Sequence, residues 1–547
     1  VTINSGQLPV WFIGLGRWQA IMAAWLAGIV ASLGLAPYDF LPAGFVAFPM
    51  LVWLLDGVWA RNGSTERAVF PPFCLLRSAF VMGWAFGFGY FVGGLWWLGA
   101  ALLVDGDAFL WALPFAVLGL PAVLAVYHGL AAALALCFWS THLVRIIALA
   151  LAFTLAEYAR ARLLTGFSWN EIGLLLTPNL LLQQSAAWLG LHGLTLWAVV
   201  MFSCPVLMFG KGESKTGAFA FSHRAAGVLL VTVLLAGHAG YGAYRLAQNP
   251  TVLDDDVDVR VVQPNIDQSQ KWDPQEASRI FGLLLEMTGQ REPGRADTQI
   301  IVWPESSFPF LIEENSGGIS ALSERLLPGE TVLAGAARVV DDSQSGEPAY
   351  FNSILAVGQN GLVDGPFDKV HLVPFGEYLP FQSVLESLGL VQLVQMPGGF
   401  TAASERSRGQ VADLPEFLPL ICYEVIFQDE IQRTGSEKFI LNVTNDAWYG
   451  NTPGPYQHAR QATVTAVTLG LPLVRAANSG ISLVNDAVGR KLIGLNLEKR
   501  GVITSKLPLP VAKTPFVLFG NLIVIVQFVA LLLILLVANY KILRFHH

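Results

Sequence analysis

The chain has 547 residues, 54% of them hydrophobic and only 13% charged, with a net charge of −7. A water-soluble globular chain carries about 25% charged residues, so the deficit excludes an ordinary soluble protein. The acidic balance, with no basic block, excludes nucleic acid as a main partner.

The deficit is local. Before residue 245 the chain is almost continuously apolar, and from 250 to 510 its composition is globular. A membrane span needs about 20 mostly apolar residues. Runs of that kind lie at 17–36, 41–59, 78–103, 109–139, 142–163, 184–209, 225–243 and 517–540. They predict an α-helical transmembrane bundle of about eight spans, seven of them before the globular part and one after it. The expected domains are 1–245 (helical, in the membrane), 250–510 (globular) and 515–547 (a terminal membrane helix). Arg17 is followed by a long apolar run without a small-residue cleavage site, so the first run is expected to be kept as a helix. The glycines from Gly83 to Gly94 suit close helix packing. Asn170, Glu171 and His192 lie in or near apolar runs, where polar groups act chemically or link helices.

Loop cations set the expected orientation. Arg61, Arg67 and Arg77 share one loop, Arg145 sits in another, Lys211, Lys215 and Arg224 in a third, and Lys541 and Arg544 follow the last run. The alternate loops carry Asp39, Asp105 and Asp107, and only Arg160 and Arg162 oppose the pattern. With the basic loops in the cytoplasm, both termini are cytoplasmic and seven crossings deliver 250–510 to the outer face.

The globular part alternates strands and helices. Strands are predicted at 257–262, 298–302, 331–336, 353–357, 417–422, 439–443, 474–477 and 481–485, and helices at 273–290 and 455–469. This is layered α/β packing with both sheet faces covered. Pro419 marks the 417–422 strand as an edge or a late start.

Three features near strand ends carry candidate chemistry. Glu305 follows Trp303-Pro304, where proline stops the ladder and presents the next side chain at the sheet rim. Lys369 and Glu377 flank a rigid Pro/Gly turn, so Lys369 offers a fixed positive charge for an oxyanion and Glu377 a group to orient it. His371 lies between them, but no local spacing pairs it with a nucleophile. Cys422 is the only cysteine of the globular part, since Cys74, Cys137 and Cys204 lie in or beside apolar runs. A lone thiol is more often core than nucleophile. As a nucleophile it needs a base or a cation, and Glu305 and Lys369 supply both. The residues alone also admit a membrane-tethered amidase, and less readily a transporter with an accessory domain.

Glu305, Lys369 and Cys422, in that order within one α/β domain, resemble the Glu-Lys-Cys triad of the nitrilase (carbon–nitrogen hydrolase) superfamily. The whole chain resembles the apolipoprotein N-acyltransferase family. The motifs are Trp303-Pro304-Glu305, Asp368-Lys369, Leu372 to Tyr378, Ile421-Cys422-Tyr423-Glu424, Asn445-Asp446-Ala447-Trp448 and Arg475 to Gly480. The resemblance implies a nitrilase-like αββα sandwich over the globular domain and ping-pong acyl transfer through a thioester on Cys422. It implies membrane phospholipid, typically phosphatidylethanolamine, as acyl donor and the N-terminal diacylglyceryl-cysteine of an apolipoprotein as acceptor. Glu305 would be the base and Lys369 the oxyanion partner, helped by a backbone N–H near Tyr423. Glu377 and Glu424 would support them, with Trp272, Tyr378 and Trp448 as candidate substrate contacts. No metal or cofactor is implied. A monomer in the bacterial inner membrane, with its catalytic domain in the periplasm, is expected. Val384 to Met396 is apolar for a water-facing domain and is expected to face the bilayer and shield the thioester from water.

Overall fold

The computed structural model describes residues 8–61, 71–104, 106, 108–140, 143–209, 217–294, 296–341, 348–387, 392–394 and 399–544. Arg67, Asp105, Asp107, Lys211, Lys215 and part of the expected shielding segment, including Leu388 and Leu390, lie outside them. The chain forms two compact units. One comprises Val1–Gly99, Trp111–Gln248 and Leu518–His547, the other Ala100–Leu110 and Asn249–Val517.

The first unit is helical, and helix occurs in all eight expected apolar runs. Among the described residues, five helical stretches are long and apolar enough to cross a membrane: Pro42–Ala60, Phe73–Leu103, Leu110–Leu136, Leu182–Phe209 and Gly227–Gln248. Arg17–Ser32 and Val144–Arg160 are shorter, at 16 and 17 residues. At 1.5 Å per residue each rises about 25 Å, less than the roughly 30 Å hydrocarbon core. Glycine sets the packing of Arg17–Ser32 against Phe73–Leu95. A Cβ on Gly28 would lie 1.9 Å from the Phe86 carbonyl oxygen, and one on Gly89 would lie 2.0 Å from that of Trp25. The backbones therefore touch, as small residues allow in apolar surroundings. The polar residues of this unit link its elements. Asn170 Nδ2 donates to the Gly94 carbonyl at 3.0 Å, and His192 Nδ1 meets Glu171 Oε1 at 2.8 Å.

The second unit is built on eleven strands: β1 (Leu253–Gln263), β2 (Thr298–Trp303), β3 (Glu330–Asp341), β4 (Pro348–Gly358), β5 (Gly361–Asp368), β6 (Phe417–Ile421), β7 (Phe439–Thr444), β8 (Leu473–Ala477), β9 (Ser482–Asn485), β10 (Lys491–Leu495) and β11 (Gly501–Pro508). They make a six-stranded sheet ordered β11-β1-β2-β3-β4-β5 and a five-stranded sheet ordered β10-β9-β8-β7-β6. Each sheet has three parallel strands, β1-β2-β3 and β6-β7-β8, and antiparallel strands complete it.

The sheets stack on apolar faces. Val259, Val261, Ile300, Val302 and Leu333 meet Ile421, Leu441, Val443, Val474 and Ala476 in one core. Strand alternation turns the next residues the other way. Val262, Ile301, Trp303 and Val332 pack with Ile280, Leu284 and Met287 of the helix Ala277–Thr288. Burial on both faces is why these strands read as continuous apolar runs. The helix Pro453–Leu469 is likewise buried along its length. β6 is the last strand of its sheet, beside β7, so Pro419 does sit on an edge strand. The strand expected to include Cys422 ends at Ile421.

Candidate active site

β2 ends at Trp303, and Pro304, which has no N–H to donate, turns the chain off the sheet. The turn is held by Ser307 N donating to the Gly335 carbonyl at 2.7 Å. Gly335 of β3 lies directly beneath it, and a Cβ there would sit 2.5 Å from Glu305 Cα and 2.6 Å from the Pro304 oxygen. Gly335→Ala should therefore displace the Glu305 segment and lower the catalytic rate at least tenfold. The thermal midpoint is expected to fall by several degrees. A wild-type rate in the alanine variant would show that the Glu305 segment tolerates a methyl group at this contact.

Glu305 is 6% exposed and both its oxygens are occupied. Oε1 accepts from Asn352 Nδ2 at 2.8 Å and from Lys369 Nζ at 3.3 Å, and Oε2 accepts from the Asn445 N–H at 2.8 Å. Lys369, 1% exposed, lies just past the end of β5, where its N–H donates to the Asn352 carbonyl at 2.9 Å. Its Nζ also donates to Glu377 Oε1 at 2.9 Å. The 374–378 turn returns Glu377, whose second oxygen accepts from the Val373 N–H at 2.8 Å. Glu305, Lys369, Glu377 and Asn352 thus form one buried network.

Cys422 follows β6 at φ 52°, a left-handed conformation that costs a non-glycine residue about 1–3 kcal/mol. It opens the short helix Cys422–Ile426 directly after β6, and Ser306 and Phe375 of the neighbouring turns share the positive φ. Glu424 holds this turn: its Oε2 accepts from the Ile421 N–H at 2.7 Å. His458 Nε2 lies 3.0 Å from the Cys422 carbonyl and its Nδ1 lies 2.8 Å from Asp446 Oδ1. Asp446 Oδ2 in turn accepts from Arg475 at 2.8 Å. The Cys422 side chain is 6% exposed, and the charges of Glu305, Lys369 and Asp446 all act on it.

The electrostatics assign the resting protonation. Burial pushes the Cys422 thiol up, and the Glu305 charge pushes it the same way against the opposing Lys369. Burial also acts to raise Glu305, but Lys369 and then Lys271, with hydrogen bonds from Asn352 and Cys422, hold its carboxyl below the usual range. Burial works against the Lys369 ammonium, yet Glu377 and Glu305 raise it above its ordinary value. The resting site therefore pairs a neutral thiol with a carboxylate base and an ammonium, an arrangement that fits base-assisted nucleophilic attack.

The other sequence candidates fall in different places. Tyr423 is buried edge-to-face against Phe427, with ring centroids 4.9 Å apart. His371 stacks on Phe427 at 3.7 Å and binds Glu430 at 3.0 Å, so the described geometry gives it no contact with the thiol. Trp272 and Tyr378 are half-buried against a small cluster of Ala337, Leu372 and Phe400. Trp448 lines a cavity of about 620 Å³ with Leu103, Asn265, Gln268 and Glu498. Asn352, Asn445 and Lys271 escaped sequence reasoning, although Asn445 lay inside a quoted motif. No group of three or more His, Cys, Asp or Glu side chains that could hold a metal occurs among the described residues.

An αββα sandwich that gathers a glutamate, a lysine and a cysteine at its strand ends defines a carbon–nitrogen hydrolase, and the carbon–nitrogen hydrolase family model matches residues 258–514. Residues 27–204 match the apolipoprotein N-acyltransferase N-terminal domain. The chain belongs to the apolipoprotein N-acyltransferase family. It is 46% identical over 541 residues to the apolipoprotein N-acyltransferase of Brucella suis, covering 97% of this chain and 98% of the relative. It is 45% identical to those of Allorhizobium ampelinum and Rhizobium meliloti, over 89% and 88% of this chain and 90% and 89% of the relatives.

Proposed function

We propose that this chain transfers a fatty acyl group from a membrane phospholipid, through a thioester on Cys422, to an apolipoprotein. The acceptor is the free amino group of an N-terminal diacylglyceryl-cysteine. The single observation that carries the reading is the shared buried site of the Glu305 carboxylate, the Cys422 thiol and the Lys369 ammonium. Relatives of nearly full length named for this activity support the acceptor.

Glu305 takes the proton from Sγ, and the sulfur attacks the ester carbonyl carbon. The carbonyl electrons move to oxygen, where Lys369 and the peptide N–H that follows Cys422 stabilise the oxyanion. Collapse breaks the ester C–O bond, and Glu305 gives its proton to the departing lysophospholipid oxygen. The neutral acceptor amine then attacks the thioester. Glu305 takes the amine proton as the C–S bond breaks and returns it to sulfur. The amide product and the free thiol close a ping-pong cycle.

A substrate that lives in lipid explains the helical unit, which a tethered amidase would not need. The apolar runs at 1–245 and 515–547 would anchor the domain at 250–510 on the periplasmic side of a bacterial inner membrane, with both termini cytoplasmic. Phosphatidylethanolamine is the proposed donor, and the chain acts as a monomer. Val384 to Met396 would face the bilayer and limit hydrolysis of the thioester. The direct test is mass spectrometry of the Cys422 peptide after incubation with a defined phosphatidylethanolamine. An added acyl mass that disappears on adding a diacylglyceryl lipopeptide is the expected result. An unmodified Cys422 throughout would overturn the reading.

A further inference from the structure

Lys271 has no part in the trio above, yet it reaches the same centre. It ends the short turn Gln268–Gln270, is 3% exposed, and its Nζ donates to the main-chain oxygen of Glu305 at 2.8 Å. That is the one hydrogen bond of its Nζ among the described residues, so two of the three ammonium N–H donors are uncommitted. Lys369, by contrast, already serves both Glu305 and Glu377. A buried ammonium is costly unless local negative charge compensates it.

The charge count supplies the reason. At rest, Glu305 and Glu377 carry two negative charges and Lys369 and Lys271 two positive ones. Neighbouring charges pair elsewhere: Glu424 with Arg406 at 2.9 Å, and Asp446 with Arg475 at 2.8 Å. Burial, together with Arg475, holds His458 below its ordinary value and therefore neutral at pH 7. When Glu305 takes the thiol proton, its negative charge moves to sulfur and then to the oxyanion. The total stays at zero throughout. Without Lys271 each of those states would hold one unbalanced negative charge in a buried site.

We propose that Lys271 is a second fixed cation of the reaction centre, a positioning residue that holds Glu305 by its carbonyl and balances the negative charge passing to sulfur and oxyanion. The oxyanion half of this role rests on the acyl-transfer reading; the effect on the thiol does not. Burial pulls the Lys271 ammonium down to about 8, with Glu305 and Cys422 resisting, so the cation is present at neutral pH and is lost above that value.

The experiment uses the full chain in detergent or lipid. The rate of iodoacetamide alkylation of Cys422 is followed against pH by peptide mass spectrometry, which separates it from Cys74, Cys137 and Cys204. Lys271→Met is expected to slow the reaction roughly tenfold near neutral pH, a difference that closes above about 8, where the wild-type cation is itself lost. Lys271→Gln, whose amide can keep the bond to the Glu305 carbonyl, should slow it nearly as much, and Lys271→Arg should restore the rate. A wild-type alkylation rate near neutral pH in folded Lys271→Gln overturns the proposal even if Lys271→Met does not fold. Acylation by phosphatidylethanolamine, measured alongside, should fall at least tenfold in kcat with KM little changed. If wild-type Cys422 is alkylated with the expected dependence on Lys271 but never acylated, the acyl-transfer reading fails and the charge assignment stands.

Discussion

Cys422→Ala is expected to remove acyl-enzyme formation altogether, and Glu305→Gln to slow it by about 10²–10⁴-fold, the usual contribution of a positioned general base. The two losses have different causes. Alanine deletes the atom that forms the bond. Glutamine keeps size and one acceptor oxygen but cannot take the thiol proton or deliver it to the leaving lysophospholipid. The charge of Glu305 is also one reason, after burial, that the thiol sits high. Removing that charge leaves the Lys369 cation acting on the sulfur and favours thiolate. Glu305→Gln should therefore be alkylated by iodoacetamide at pH 7 at least as fast as wild type while its acylation collapses. Single-turnover labelling of Cys422 by phospholipid, read beside alkylation, checks this split. Parallel loss of both reactivities would mean that Glu305 acts by holding the fold and not as a base.

That split also marks where the sequence was legible. Apolar runs and strand–helix alternation are burial patterns, and burial is what composition records, so the helical unit and the parallel strands β1–β3 and β6–β8 could be read directly. β5, β10 and β11 escaped. Their residues are mostly exposed or half-buried, and backbone pairing with a neighbour holds them without a strong apolar signal. The site was legible as residue types in order, because Pro304 and the Pro/Gly turn after Lys369 announce strand ends. Its supports were not. Lys271 sits in a polar stretch that reads as exposed, and only closure of the loop onto the Glu305 carbonyl buries it. Asn352 lies within a predominantly apolar strand, where its bonds to Glu305 and Glu377 leave no local trace. The left-handed turn at Cys422 has no glycine to announce it.

Glu424 is the second residue whose loss should have a large effect, although it is not placed in contact with the thiol. Its Oε1 accepts from the Val370 and His371 N–H groups at 2.9 and 3.2 Å and from Arg406 at 2.9 Å, while Oε2 accepts from Ile421. Val370 follows Lys369 and Ile421 precedes Cys422, so one carboxylate ties the cation strand to the nucleophile turn. Burial acts to raise Glu424, but Arg406 and the Ile421 N–H hold it below its ordinary value. Glutamine cannot replace it, because its amide nitrogen must face a backbone N–H on one side or the other, donor against donor. Alanine leaves three N–H groups and a guanidinium without this acceptor, at roughly 3–5 kcal/mol for breaking a buried ion pair. Glu424→Gln should lower Cys422 acylation by about 100-fold and Glu424→Ala should in addition lower the thermal midpoint by several degrees. A group whose folded value is depressed stabilises the fold fully above its unfolded value near 4.5 and loses that contribution as pH falls through the folded value. The midpoint difference between wild type and Glu424→Ala should thus be constant near neutrality and shrink in acid. A Glu424→Gln variant with wild-type acylation would show that Lys369 and Cys422 keep their registry without this tie, and that the turn at Cys422 is held by His458 and the β6–β7 pairing instead.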